Sequence, residues 1–163
     1  DKGAKEGTLT VMVGGDQEAY QTMTPVFLQL GKDIHYFGTA GAGQHAKMAN
    51  QIAIAGALSG VCEALTYARS KGLDPQILLS AITAGAAGSF QMTSMAPKMM
   101  AEDYTPGFIM SHFIKDMTLA DGEALQEGVT LPVLEHVLSQ CRTLEEQGFG
   151  SLGTQALIKY YGG

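Results

Sequence analysis

The sequence predicts a mostly α protein: an all-helical domain built around one long central helix, preceded by a single βαβ piece. Three observations carry this. From residue 44 onward, apolar residues recur at helical spacing between successive glycine and proline stops. Between residues 48 and 68, Glu63 is the only charge, as befits a helix covered on most sides. Ahead of residue 40, only two short β-rich runs occur. Two strands cannot close a sheet of their own, so they read as the last crossover of a larger α/β sheet.

Each element has a local reason. Thr8-Leu9-Thr10-Val11-Met12-Val13 alternates as a strand does and stops at Gly14-Gly15. Asp16 is placed to cap a helix over 17–23. Thr24-Pro25 reads as a new cap and first helical position, opening a second short helix that ends at Gly31. Ile34-His35-Tyr36-Phe37 is the second strand. The turn Gly38 to Gly43 sets the boundary, giving 1–40 to the sheet piece and 41–163 to the helical domain. The long helix runs from about 44 to Lys71 and stops at Gly72. Asp74-Pro75 starts a helix to about 84, and Gly85-Ala86-Ala87-Gly88-Ser89 is a small-residue turn. Helices follow over roughly 90–101, 111–127, 132–147 and 153–161. Tyr104 to Gly107, Leu131-Pro132 and Gly148-Phe149-Gly150 separate them.

Composition excludes several classes. With 163 residues and a net charge of -6, the chain has no basic stripe to neutralise phosphates, so nucleic acid is not an expected partner. Cys62 and Cys141 show neither metal-ligand spacing nor a disulfide framework, and Cys62 reads as a core filler. A cytoplasmic setting is expected from this cysteine usage. The polar opening, Asp1 to Glu6, is not a signal-peptide pattern. The four histidines form no HExxH-type group, so no metal is expected. The 48–68 run approaches membrane-span length, but Asn50, Gln51, Ser59 and Thr66 dilute it and the mean hydropathy of the chain is +0.06. A buried helix with no membrane partner is the reading, and Gly56 and Gly60 would let a neighbouring helix approach closely.

The chemistry concentrates after Gly38-Thr39-Ala40-Gly41-Ala42-Gly43. Lys47 lies about one turn into the helix, and Asn50 and Gln51 follow it at i+3 and i+4. That spacing puts the three on one face. The lysine is either a solvated residue or a working one. In a helix N-terminal field, a desolvated lysine would have a lowered pKa, suited to giving and taking a proton. The two amides could hold a substrate oxygen. The glycine turn does not match GxGxxG and is not read as a nucleotide loop. Ser89 is a candidate helix cap, Phe108 a core residue and Lys115-Asp116 a surface charge pair.

Taken together, these residues resemble the β-hydroxyacid dehydrogenase family. Gly38-x-x-Gly41-x-Gly43-x-x-x-Lys47 matches its catalytic-lysine signature. Thr8 to Asp16 is similar to its late Rossmann strand, Phe108 and Lys115-Asp116-Met117 to its cofactor-facing helix start, and Gly85 to Ser89 to a loop near the substrate. The resemblance implies a truncated Rossmann domain followed by an all-α dehydrogenase domain that pairs into a homodimer or homotetramer. It implies NAD or NADP as coenzyme and a small hydroxy acid or its semialdehyde as substrate. Lys47 would be the general acid/base. Asn50, Gln51 and Ser89 would meet the substrate, and Phe108, Lys115 and Asp116 the coenzyme. Where many members carry two asparagines, this chain has Asn50 and then Gln51. The family's dinucleotide glycine loop is not among these residues. The chain is therefore expected to be a C-terminal portion that binds NAD(P) weakly alone, the coenzyme being held mainly by the missing N-terminal domain. The alternative is a non-catalytic helical dimerisation module of the same fold.

Overall fold

The computed structural model describes residues 2–162. The chain forms two compact units, Asp1–Asn50 and Gln51–Gly163.

The first unit holds α1 (Lys2–Glu6), β1 (Thr10–Val13), α2 (Gln17–Phe27), β2 (Asp33–Tyr36) and the start of α3 (Ala42–Ser70). β1 and β2 pair in parallel, with Thr10 opposite Asp33 and Val13 opposite Tyr36, and α2 makes the crossover. Asp16 caps α2 by accepting the Ala19 N–H at 2.8 Å. The expected break at Thr24-Pro25 is corrected: α2 runs through both residues as one helix. Thr24 turns its hydroxyl back onto the Tyr20 carbonyl at 2.8 Å, so it does not cap forward. Pro25 lies close to the helix end, where its missing N–H removes only one bond. The α1 turn carries no sequence signal that predicted it. Gly7 at φ 61 closes it, with Thr8 N–H donating to the Gly3 carbonyl at 2.9 Å.

The second unit is all helix. It consists of the rest of α3, α4 (Pro75–Ile82), α5 (Ala96–Met100), α6 (Met110–Gln126), α7 (Pro132–Leu144) and a final 3-10 helix (Thr154–Tyr161). Its core lines up at helical spacing: Leu58, Cys62 and Leu65 on α3, Met110, Phe113 and Met117 on α6, Leu134, Val137 and Leu144 on α7. The 3-10 helix adds Ala156, Leu157 and Ile158, all fully buried. α3 is also the described helix long and apolar enough to cross a membrane by length and composition. Here Ala55, Leu58, Val61 and Leu65 spend that apolarity on the protein core.

Terminators work as the sequence implies. α3 ends at Gly72, φ 68, where the Gly72 N–H reaches Arg69 O at 3.0 Å and the Leu73 N–H reaches Ala68 O at 3.0 Å. Gly128 ends α6 in the same way. Asp74 caps α4 through the N–H groups of Gln76 and Ile77, with Pro75 at its start. Two segments differ from plain α-helix. The expected 90–101 helix opens as a π turn over Gln91–Met95. Pro97 lacks a donor, and the Ala96 N–H reaches back five residues to Gln91 O. After α7, a further turn over Glu145–Phe149 is broken at Gly148, φ 91. Buried Gln155 then ties the preceding loop, donating to the carbonyls of Asp103 and Thr105 at 2.9 and 3.0 Å.

Candidate active site

The glycine turn owes its composition to two separate demands. Gly38 and Gly41 adopt φ 110 and 91, in the left-handed half of backbone space. Gly43 is needed for proximity: a Cβ there would meet Met12 O at 2.5 Å and Gly14 N at 3.0 Å. Gly14 answers it, since a Cβ on that residue would meet the backbone of Thr39, Ala42 and Gly43 at 2.6–2.8 Å. The end of β1 thus lies directly on the first turn of α3. The Thr39 carbonyl accepts from Ala42 N–H at 3.1 Å and the Gly41 carbonyl from His45 N–H at 3.1 Å, which starts the helix.

Within this first unit, an open cavity of about 910 Å³ runs along β1 from Leu9 to Gly14. Phe27 and Leu30 supply an apolar wall, and Gln44, Lys47 and Asn50 project from α3. Of the residues singled out in the sequence, Lys47 and Asn50 therefore line one cavity. The Lys47 side chain is exposed, the solvated one of the two states that the sequence leaves open. The apolar stretch of α3 begins after it.

A different set meets in the second unit. Gln51 is 1% exposed, and its Nε2 donates to Asp116 Oδ2 at 2.9 Å. Asp116 Oδ1 lies 2.9 Å from Lys115 Nζ. Ser89 is occupied as a cap, its hydroxyl accepting the Met92 N–H at 3.1 Å. Phe108 stands edge-on to the Phe113 ring at 5.8 Å between centroids, and its carbonyl accepts from Thr154 N–H at 3.0 Å.

Sequence reasoning passed over the cluster around Tyr161. The Tyr161 hydroxyl is hydrogen-bonded to Ser59 Oγ at 3.0 Å and accepts from Gln140 Nε2 at 2.8 Å. His136 lies 3.0 Å from the same Gln140 nitrogen. Every member is partnered, so this cluster clasps the last helix to α3 and α7. Both cysteines are inert by position. Burial pushes the Cys62 thiol far up, and pushes Cys141 up to about 12. Among the described residues, no group of three or more His, Cys, Asp or Glu side chains is placed to hold a metal ion.

Comparisons with known proteins bear on the family of the chain. Residues 41–161 match the family model for the NAD-binding domain of NADP-dependent 3-hydroxyisobutyrate dehydrogenase, and residues 1–38 match that for the NAD-binding domain of 6-phosphogluconate dehydrogenase. The chain is 46% identical over 161 residues to the uncharacterized oxidoreductase YkwC of Bacillus subtilis (strain 168), covering 99% of this chain and 56% of that one. It is 35% identical over 157 residues to the 2-hydroxy-3-oxopropionate reductase of Escherichia coli (strain K12), covering 96% and 54%. A solved structure of Mycobacterium tuberculosis 3-hydroxyisobutyrate dehydrogenase with L-serine superposes at a TM-score of 0.90 with 29% identity, covering 97% and 56%. The chain spans about half the length of these relatives.

Proposed function

We propose a function from one premise: this chain belongs to the β-hydroxyacid dehydrogenase family. It is part of an NAD(P)-dependent oxidoreductase that interconverts a small β-hydroxy acid and its semialdehyde. The observation that carries this reading is the pairing of Lys47 and Asn50 on the α3 wall of one cavity, beside the Gly14–Gly43 contact. The cavity's volume lies in the range of small-molecule sites, roughly 300–1,000 Å³. The Lys47 ammonium and the amides of Gln44 and Asn50, set against an apolar wall, fit a short acid bearing one reacting oxygen.

The coenzyme, when bound, supplies or accepts the hydride. This chain's residues handle the rest. In the reducing direction, Lys47 Nζ gives a proton to the carbonyl oxygen as the hydride reaches the carbonyl carbon, leaving a neutral alcohol. In the oxidising direction, the neutral Lys47 amine takes the hydroxyl proton while the carbon loses its hydride. Asn50 holds the reacting oxygen in line with the lysine by hydrogen bonding, which restricts its orientation. Phe108, Lys115 and Asp116 are the groups assigned to the coenzyme. The substrate class is a short acid of the kind named in the relatives, 3-hydroxyisobutyrate or 2-hydroxy-3-oxopropionate.

The test is turnover by the intact full-length protein, followed as NADH and NADPH oxidation with a panel of small semialdehydes. Lys47→Ala is expected to lower kcat by about 10²–10⁴-fold, the usual range for a general acid/base. The pH–rate limb that belongs to the lysine should vanish with it. An unchanged pH profile in the variant would remove Lys47 from this role.

A further inference from the structure

We propose that Gln51 is a positioning residue, which fixes the Asp116 carboxylate and through it the Lys115 ammonium, and that it does not touch the substrate. The proposal rests on the hydride-transfer reading above. Its basis is that both oxygens of one carboxylate are engaged by different partners. Oδ2 accepts from Gln51 at 2.9 Å, and Oδ1 pairs with Lys115 at 2.9 Å. A carboxylate held at both oxygens cannot rotate freely, so the place of the ammonium is set by the amide behind it. Donor and acceptor lie 65 positions apart on α3 and α6, so the bond also fixes the register of these two helices.

Burial shows which end is the anchor. Gln51 is 1% exposed, Asp116 19% and Lys115 65%. The chain of contacts runs from a buried amide through a half-covered carboxylate to an ammonium in reach of solvent. An exposed ion pair adds little stability, so its effect lies in where the charge stands. A lysine fixed in that way is suited to an anionic ligand. A buried amide that gave up this bond to face a substrate would leave the carboxylate half-free. Neighbouring helical residues point about 100° apart. Asn50, which lines the cavity with Lys47, can therefore serve the substrate while Gln51 serves Asp116.

The test exchanges donor and acceptor in the intact full-length protein: Gln51→Glu, Asp116→Asn, and the two together. The first sets two carboxylates against each other, and the second sets two amides. The double variant restores one N–H···O bond with its direction reversed. KM for the coenzyme and for the hydroxy acid are measured separately, with kcat. Each single variant is expected to lose about tenfold in kcat/KM for the coenzyme, with the hydroxy-acid KM within about twofold, and the double variant to recover most of the loss, as coupled neighbours do. Gln51→Glu alone should regain activity as pH falls, because one proton shared by the facing carboxylates relieves their repulsion. A rise in hydroxy-acid KM in Gln51→Glu that Asp116→Asn does not reverse would overturn the proposal, as would strictly additive losses. Absence of wild-type turnover would instead overturn the functional reading, and this proposal with it.

Discussion

Lys47 and Cys62 lie on the same helix, and their surroundings give them opposite chemistry. Lys47 is exposed at a cavity wall, while Cys62 is fully buried with its sulfur 4.0 Å from Met99 Sδ. Neither thiol is expected to react with a disulfide reagent in the native protein, and both should react after denaturation. Thiol counts in buffer and in guanidinium check this. The thiols also set a direction for alkaline stability. A folded-state pKa raised above the unfolded one stabilises the fold fully below the unfolded value, and that contribution is lost as pH rises towards the folded value. For Cys141 the window runs from its ordinary 9.0 up to about 12. Unfolding midpoints should therefore decline with pH across that range, and the decline should be shallower in Cys141→Ala. Glu102 is a third case, the one described non-glycine residue at positive φ, 52. It closes α5, with the Asp103 N–H bonded to Lys98 O at 2.9 Å. Since the left-handed conformation costs an L-residue roughly 1–2 kcal/mol, Glu102→Gly is expected to stabilise the protein by up to about 1 kcal/mol in denaturant titration. No sequence pattern announced this position, because glutamate is not a residue that signals such a turn. The partners of Gln51 were equally hidden, since Asp116 becomes its neighbour only when α6 packs on α3.

Elements were legible wherever a boundary is chemically local. Asp16, Asp74, Gly72 and Gly148 sit where caps and stops are needed, and each performs that role. Pro25 misled, and Pro97 gave no warning of the π turn before it. A proline's effect depends on how many bonds lie beyond it, and on whether the turn before it can widen. Glycines carry the sharpest element-scale contrast. Gly43→Ala would push a methyl group into Met12 O and is expected to destabilise the β1–α3 junction by about 1–3 kcal/mol. Gly60→Ala, on the same helix but with nothing within 4 Å of the added carbon, is expected to stabilise by about 0.5–1 kcal/mol. Chemical denaturation of the two variants against wild type checks both signs.

At the scale of the molecule, the change from a βαβ piece to consecutive helices was readable because hydrophobic periodicity changes from two to 3.6 along the chain. What periodicity leaves out is the wiring of polar groups within the helical body: the Gln155 tie and the Tyr161 clasp join residues 21 to 102 positions apart. On the proposed function, the cavity beside β1 takes the small acid. The glycine turn beside it, however, is spent on backbone packing, with no cradle for a pyrophosphate. Calorimetry of NADH against this 163-residue chain is expected to show no micromolar binding. Heat of binding at micromolar concentration would contradict that expectation.

The position of Ala156, Leu157 and Ile158 has a consequence for how the protein is made. These fully buried residues pack in the same core as Leu58 and Leu65, nearly a hundred positions earlier. A nascent chain can pair β1 with β2 once residues 10–36 are free of the ribosome. The helical body must wait, its apolar faces open to chaperones, until residues 154–161 have been translated.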